Sequence, residues 1–152
     1  PTPPAHIIVM DADYSHEPKE ILKFLANIQS DYGLIIGSRY CKNGKISGWP
    51  IGRRFVSRAA NILAKSAIGL KLSDCTSGYR CYSIVYIKTI IDKLHCTTYE
   101  IQIETARQAQ LQKFKIKEIP IFFTNRKCGK SKLSITEISS FMLYILKTIT
   151  YR

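Results

Sequence analysis

The 152-residue sequence lacks any apolar run near the roughly 18 residues that a membrane-spanning helix needs, so this stretch does not cross a bilayer by a helix of its own. Acidic residues are scarce. Eleven Asp plus Glu face twenty-three Lys plus Arg, a formal net charge of +12. Such an excess favours partners rich in phosphate: nucleic acid, an anionic membrane face or a phosphorylated substrate. The five cysteines (Cys41, Cys75, Cys81, Cys96 and Cys128) are odd in number and form no CxxC pair. Neither a zinc knuckle nor a disulfide framework follows from that, and a reducing compartment is the simplest reading. There is no GxSxG, no Walker sequence and no Cys/His pair in a recognisable context, and His6, His16 and His95 are not spaced as metal ligands. A signal-peptide pattern is absent as well. The chain opens Pro1-Thr2-Pro3-Pro4 without a Met and reaches a hydrophobic strand within eight residues, which predicts that part of a longer protein precedes it.

What is present suits one α/β domain. The composition, 45% hydrophobic and 22% charged, excludes collagen, coiled coil and wholesale disorder. His6–Met10 is a short apolar run ending at Asp11-Ala12-Asp13, and it reads as a buried parallel strand followed by a loop. Pro18 starts a helix whose apolar face carries Ile21, Leu22, Leu25 and Ile28, and Gly33–Gly37 forms a second strand. Strand, helix and strand in about 30 residues make a βαβ unit and predict a parallel sheet. Gly44, Gly48 and Pro50 predict a mobile loop around the single Trp49, and a basic helix follows over 53–68. Further helices are expected near 84–93 and 99–112, with a strand over 115–123 whose Pro120 suggests an edge or bulge. Ser134 and Glu137 match a capping box. Ile135, Ile138, Phe141, Met142, Ile145, Leu146 and Ile149 then form one helical stripe, facing either the core or a membrane interface. Residues 1–133 are thus expected to form the body of the domain and 134–152 an amphipathic helix of it that can lie at a membrane interface.

The Asp11-Ala12-Asp13 turn is the sharpest chemical signal. Two carboxylates just beyond a parallel strand lie where open α/β sheets bind ligands, and such hard oxygen donors can hold Mg²⁺ or Mn²⁺ against substrate phosphates. The bland alternative is a solvated turn. The cations do not form one run but recur beside Gly or Ser, as in Gly37-Ser38-Arg39, Ser77-Gly78-Tyr79-Arg80 and Gly129-Lys130-Ser131-Lys132. Small neighbours let an anion approach the backbone while the cation supplies charge-assisted hydrogen bonds. Gln102 and Glu104, two apart on a helix, do not lie side by side and by themselves read as exposed polar groups.

Taken in order, these pieces resemble the family 2 GT-A glycosyltransferases, above all the dolichyl-phosphate mannosyltransferase group. The resemblance rests on Met10–His16, Gly37–Tyr40, Gly48-Trp49 with Arg53–Arg58, Ser73–Arg80, Gln102-Ile103-Glu104, Glu118–Pro120, and Arg126 with Gly129–Leu133, running from about Ile7 to Glu137. It implies a Rossmann-like, mixed but mainly parallel sheet with flanking helices. It also implies inverting transfer of mannose from GDP-mannose to a polyprenyl phosphate. On the resemblance, Asp11, Asp13 and Ser15 are the metal ligands, Ser15 standing where some relatives have Gln. Arg39, Arg53 and Ser57 are expected at the acceptor phosphate, and Arg126, Ser131 and Lys132 at the late acceptor or diphosphate loop. Asp74, Ser77, Arg80 and Gln102 are expected on substrate, and Asp13, Arg39 and Glu104 in the catalytic set. A nucleotide-sugar donor, a polyprenyl-phosphate acceptor and a membrane surface, on its cytoplasmic face, are the implied partners; nucleic acid is not.

Bottom-up chemistry agrees. A lipid monophosphate is largely a dianion at neutral pH and needs no strong base, so the remaining work is electrostatic. Family members begin with a further βαβ half that binds guanine and ribose. Nothing in these residues matches it, which implies that residues 1–152 alone turn over no GDP-mannose. A polyprenyl-phosphate glucosyltransferase using a UDP-sugar is the nearest rival, and a basic nucleic-acid-binding module is the rival from another class. Against the latter, the aromatic residues do not interleave with the basic loops as stacking platforms would.

Overall fold

The computed structural model describes residues 5–96, 98–126 and 135–150. Strands β1 (His6–Val9), β2 (Tyr32–Ser38), β4 (Arg80–Ser83) and β5 (Lys115–Pro120) form a sheet in the order β1-β4-β2-β5, while β3 (Lys45–Ser47) and β6 (Phe122–Thr124) pair separately. Helices α1 (Ile21–Leu25), α2 (Ile51–Ile68), α3 (Ile84–Ile90), α4 (Ile101–Leu111) and α5 (Ile135–Thr150) flank it. β4 is antiparallel to both β1 and β2, whereas β5 is parallel to β2, so β1, β2 and β5 all point the same way. The expected βαβ unit is therefore present with β4 inserted between its strands, and the sheet is mixed.

Alternation along β2 divides the core. Leu34 and Ile36 face one cluster with Ala64 and Ile68 of α2, Tyr86 and Ile90 of α3, Ile103 and Ala106 of α4, and Ile145 of α5. Ile35 faces the other, with Phe24 of α1, Tyr79, Cys81, Ile119 and Ile121. The period of two across a pleated sheet makes this an α/β/α sandwich, with all its long helices on one side.

Three expectations change. The first strand is an edge strand and not fully buried: Ile7 and Val9 are exposed, because only β4 flanks β1 among the described residues. The Trp49 loop is pinned, not mobile, since β3 pairs in parallel with β6 and the Trp49 ring packs edge-on against Phe123. The strand expected over 115–123 is two strands, and Pro120 ends β5, the opposite edge of the sheet, where its missing N–H costs least. The last helix divides its stripe: Ile145 enters the core, while Ile138, Met142, Leu146 and Ile149 remain exposed. The Ser134 end of the capping box lies outside the described residues. Among the described residues no helix is long and apolar enough to cross a membrane.

Candidate functional site

Strand direction gathers the polar loops on one edge of the sheet. Asp11 follows the C-terminal end of β1, Arg39 follows β2, Arg126 follows β6, and Ser77-Gly78 leads into the antiparallel β4. This is the crevice beyond the carboxyl ends of the strands, where α/β sheets take ligands.

The acidic turn is tightly shaped. Tyr14 takes a left-handed φ of 62°, turning the chain back so that Ser15 can reach Asp13. Asp13 Oδ1 accepts the Ser15 amide at 3.0 Å and also the Ser15 hydroxyl proton. Its other oxygen faces Arg126 Nε at 3.4 Å. Partial burial pushes the Asp13 pKa up, but the Ser15 hydrogen bonds and Arg126 outweigh it and leave the carboxyl below its ordinary range. Asp11 is the exposed member of the pair. Its amide donates to Nδ1 of the buried His16 at 2.9 Å. Burial lowers the His16 pKa despite the nearby Asp11. Because Nδ1 is an acceptor here, the imidazole is neutral and the 3.8 Å approach of Asp11 Oδ2 is not an ion pair. Gly78 lies between the Asp11 carboxylate and Gln102: a Cβ there would make ordinary contacts, 3.5 Å to Asp11 Oδ1 and 4.0 Å to Gln102 Nε2. Gln102 Oε1 is buried with no hydrogen-bond partner.

The guanidiniums collect around Trp49. Arg53 lies 4.2 Å above the indole ring, and Arg39 is 5.4 Å from the same ring. Burial and the proximity of Arg126 and Arg39 push the Arg53 pKa down, although a guanidinium stays charged. Among the described residues the one hydrogen bond of its side chain is a long one, from Nη1 to Asn125 Oδ1 at 3.4 Å. Ser57, one turn further along α2, accepts the Tyr40 hydroxyl proton at 2.8 Å. Asp13, Arg126, Arg53 and Arg39 therefore share one neighbourhood.

Other expected substrate residues make bonds that hold the site. Asp74 is fully buried and receives Arg39 in a two-point clamp, Nε to Oδ2 at 2.7 Å and Nη2 to Oδ1 at 2.8 Å, with the Arg39 amide adding a third bond. Burial would raise the Asp74 pKa, but Arg39 overrides it and drives it down. Arg80 is also completely buried. Its donors go to the carbonyl oxygens of Ser77, Gln102 and Cys75 and to Thr105 Oγ1, at 2.7 to 2.9 Å, tying the Ser73–Tyr79 loop to α4. Ser77 is buried beside it. Glu104 accepts the His95 and Cys96 amides, at 3.0 and 2.9 Å, on the opposite side of α4 from Gln102, since residues two apart point about 200° apart. These four were expected on substrate or in catalysis. In this structure the polar atoms of Asp74, Arg80 and Glu104 make bonds inside the fold, and the Ser77 hydroxyl accepts the Tyr79 amide at 3.4 Å. Ser131 and Lys132 lie outside the described residues.

Sequence reasoning counted Glu118 in a matching stretch but gave it no role: its two carboxylate oxygens accept the Ser73 and Asp74 amides at 2.8 and 2.9 Å and so hold the loop that holds Arg39. It also missed Asn61, whose Oδ1 accepts the Cys75 amide at 2.6 Å. Nothing in a single sequence gives such residues this role, because their partners are backbone amides far away along the chain.

The chain matches the family model described as Glycosyl transferase family 2 over residues 4–91. It is 37% identical over 130 residues to the undecaprenyl-phosphate mannosyltransferase of Micrococcus luteus, covering 84% of this chain and 53% of that protein. It is 34% identical over 140 residues to the polyprenol monophosphomannose synthase of Mycolicibacterium smegmatis, covering 91% of this chain and 53% of that protein. The chain thus spans about half the length of the curated relatives it matches. With the family match taking in Asp11, Asp13, Arg39, Arg53 and the Asp74–Arg80 loop, the chain belongs to glycosyl transferase family 2.

Proposed function

We propose that this chain carries the transfer site of a polyprenyl-phosphate mannosyltransferase, moving mannose from GDP-mannose to dolichyl or another polyprenyl phosphate. The observation that carries this reading is the Asp11/Asp13 turn standing against Arg126, Arg53 and Arg39 on one sheet edge. Two anionic substrates, a nucleoside diphosphate sugar and a lipid phosphate, need acids and cations in that juxtaposition. The names of the two relatives support mannose and a polyprenol.

In the proposed reaction a phosphate oxygen of the lipid forms a bond to the sugar's anomeric carbon as the bond from that carbon to the diphosphate breaks. GDP leaves with the electron pair, and the configuration inverts. The acceptor is already an anion, so no residue has to remove a proton. Arg53 and Ser57 orient the lipid phosphate, with Arg39 fixed behind them by Asp74. Arg126 bears on the leaving diphosphate from beside Asp13. The donor set fits Mg²⁺ or Mn²⁺ by its chemistry: two carboxylates, one of them kept ionised, with a hydroxyl next to them, are the hard oxygen donors that such ions take together with waters and phosphate oxygens. Such an ion, when bound through Asp11, Asp13 and Ser15, offsets the charge that develops on the departing diphosphate. Gln102 Oε1 offers an unmet acceptor to a sugar hydroxyl.

A membrane face completes the reading. Ile51, Phe55 and Ile62 on α2, and Leu143, Leu146 and Ile149 on α5, expose their side chains, and the two helices pack together. This apolar face, beside a strongly basic site, suits the cytoplasmic surface of an anionic bilayer. Arg53→Gln should weaken binding of a short-chain polyprenyl phosphate in micelles about tenfold or more, the value of one charge-assisted contact. Binding of the neutral polyprenol should not change. Equal affinity of the unaltered chain for the phosphate and the alcohol would contradict the assignment.

A further inference from the structure

A cavity of about 130 Å³ opens beside the transfer site, walled by Arg39, Tyr40, Gly44, Ile46, Arg54 and Arg58. That is far more than the ~10–15 Å³ one ordered water occupies. Three guanidiniums border it, and only one is neutralised: Arg39, by Asp74. Among the described residues neither Arg54 nor Arg58 pairs with a carboxylate. Arg54 Nη2 donates to the Ile46 carbonyl oxygen at 3.1 Å, and Arg58 lies 6.0 Å from the Tyr40 ring. The first turn of α2 holds no acidic residue, so Arg53 and Arg54 sit at the positive end of the helix dipole without a carboxylate of that turn beside them.

Two walls of the cavity are fixed by close contacts, while Arg54 and Arg58 reach it from exposed positions on α2. Gly44 closes on the preceding backbone so tightly that a Cβ would lie 2.7 Å from the Ser38 carbonyl oxygen, and the Tyr40 wall is held by its hydroxyl bond to Ser57. Arg54 and Arg58, four residues apart, share one side of α2, about 100° round from Arg53 and Ser57. A tetrahedral oxyanion would meet two forked donors there and relieve their mutual repulsion.

We propose that this cavity is a second phosphate site, taking a phosphate mono- or diester through Arg54 and Arg58 and sharing its Arg39 and Tyr40 wall with the adjoining acceptor site at Arg53 and Ser57. It rests on the cavity and its charges and does not require the sugar-transfer reading. The phosphate can come from a lipid headgroup, since the exposed Ile51 and Phe55 adjoin it on α2, or from solution.

Isothermal titration of inorganic phosphate tests it in a chain carrying Arg53→Gln, which removes the neighbouring acceptor contact. Adding Arg54→Gln and Arg58→Gln should weaken the remaining phosphate binding at least about tenfold, as expected for losing charge-assisted bonds. Lys88→Gln/Lys93→Gln, which removes two exposed charges on α3 and in the turn after it, should change it less than about twofold. Circular dichroism melts confirm folding, and Arg58→Gln alone, at an exposed position, gives a milder second variant. Vesicles of phosphatidylcholine with or without phosphatidylglycerol separate the sources. Loss of phosphatidylglycerol-dependent binding beyond the charge-matched control assigns the site to a headgroup. Unaltered vesicle binding together with lost phosphate binding assigns it to soluble phosphate. Phosphate affinity that survives both arginine changes, that falls equally in the lysine control, or that is absent from the Arg53→Gln chain overturns the proposal.

Discussion

Asp13→Asn is expected to lower Mn²⁺ affinity at least about tenfold, since loss of even an outer-shell partner of a metal ligand costs about 10–100-fold. The change keeps size and can still accept from Ser15, so the turn should persist. What goes is the charge. Asp13 is held ionised by the Ser15 bonds and by Arg126, which places its proton uptake below the ordinary carboxylate range. Its contribution to metal binding should therefore hold from neutral pH down past about 4 and fade only below that. Arg126→Gln gives the opposite sign for the metal alone. It removes a cation 3.4 Å from the carboxylate and should raise Mn²⁺ affinity while weakening the hold on a diphosphate. A solvated turn without a metal role would show neither effect. Electron paramagnetic resonance of free Mn²⁺ reads both variants directly.

Asp74→Asn should be the most destabilising single change at this site, by about 3–5 kcal/mol, because it strands the buried Arg39 guanidinium without its partner. For a domain of this length that corresponds to a fall in melting temperature of about 2–4 °C per kcal/mol. The pH dependence follows from the direction of the shift. Arg39 drives the folded-state pKa of Asp74 below its unfolded value near 4, against the opposing effect of burial. The stabilisation is then complete above about pH 4 and is lost as pH falls through the lowered folded pKa. Asp74→Asn should flatten the acid limb of the stability curve measured by chemical denaturation. Replacing Arg39 and Asp74 together by apolar residues should cost less than Asp74→Asn alone, since neither charge is then left unpaired.

Much of this was legible in the residues. The apolar runs of β1 and β2, the alternation of β5, the basic helix α2 and the apolar stripe of α5 were readable locally, so their places came out to within a few residues. The Asp-x-Asp turn announced itself by following a strand. What could not be read was the division of labour among the charged residues. Arg39, Arg53 and Arg80 all follow or adjoin small residues, yet one is clamped by a carboxylate, one rests on an indole, and one is consumed by carbonyl oxygens. That difference is set by Asp74, Trp49 and the α4 backbone, which meet the arginines only after the sheet has formed. The Trp49 loop was misread for the same reason: its glycines and proline signal flexibility locally, and the β3–β6 pairing that pins it spans more than seventy residues of chain. The antiparallel insertion of β4 was hidden too, because strand direction is a property of neighbours and not of sequence.

The most direct measurement is transfer of labelled mannose from GDP-mannose to a polyprenyl phosphate by the native protein, with Mn²⁺ and after chelation. The account predicts lipid-linked mannose that forms only with the divalent ion, and that falls about a hundredfold or more in Asp13→Asn and well below the unaltered rate in Arg53→Gln, with folding intact. Undiminished transfer by either variant, or equal transfer in the presence of chelator, would contradict it.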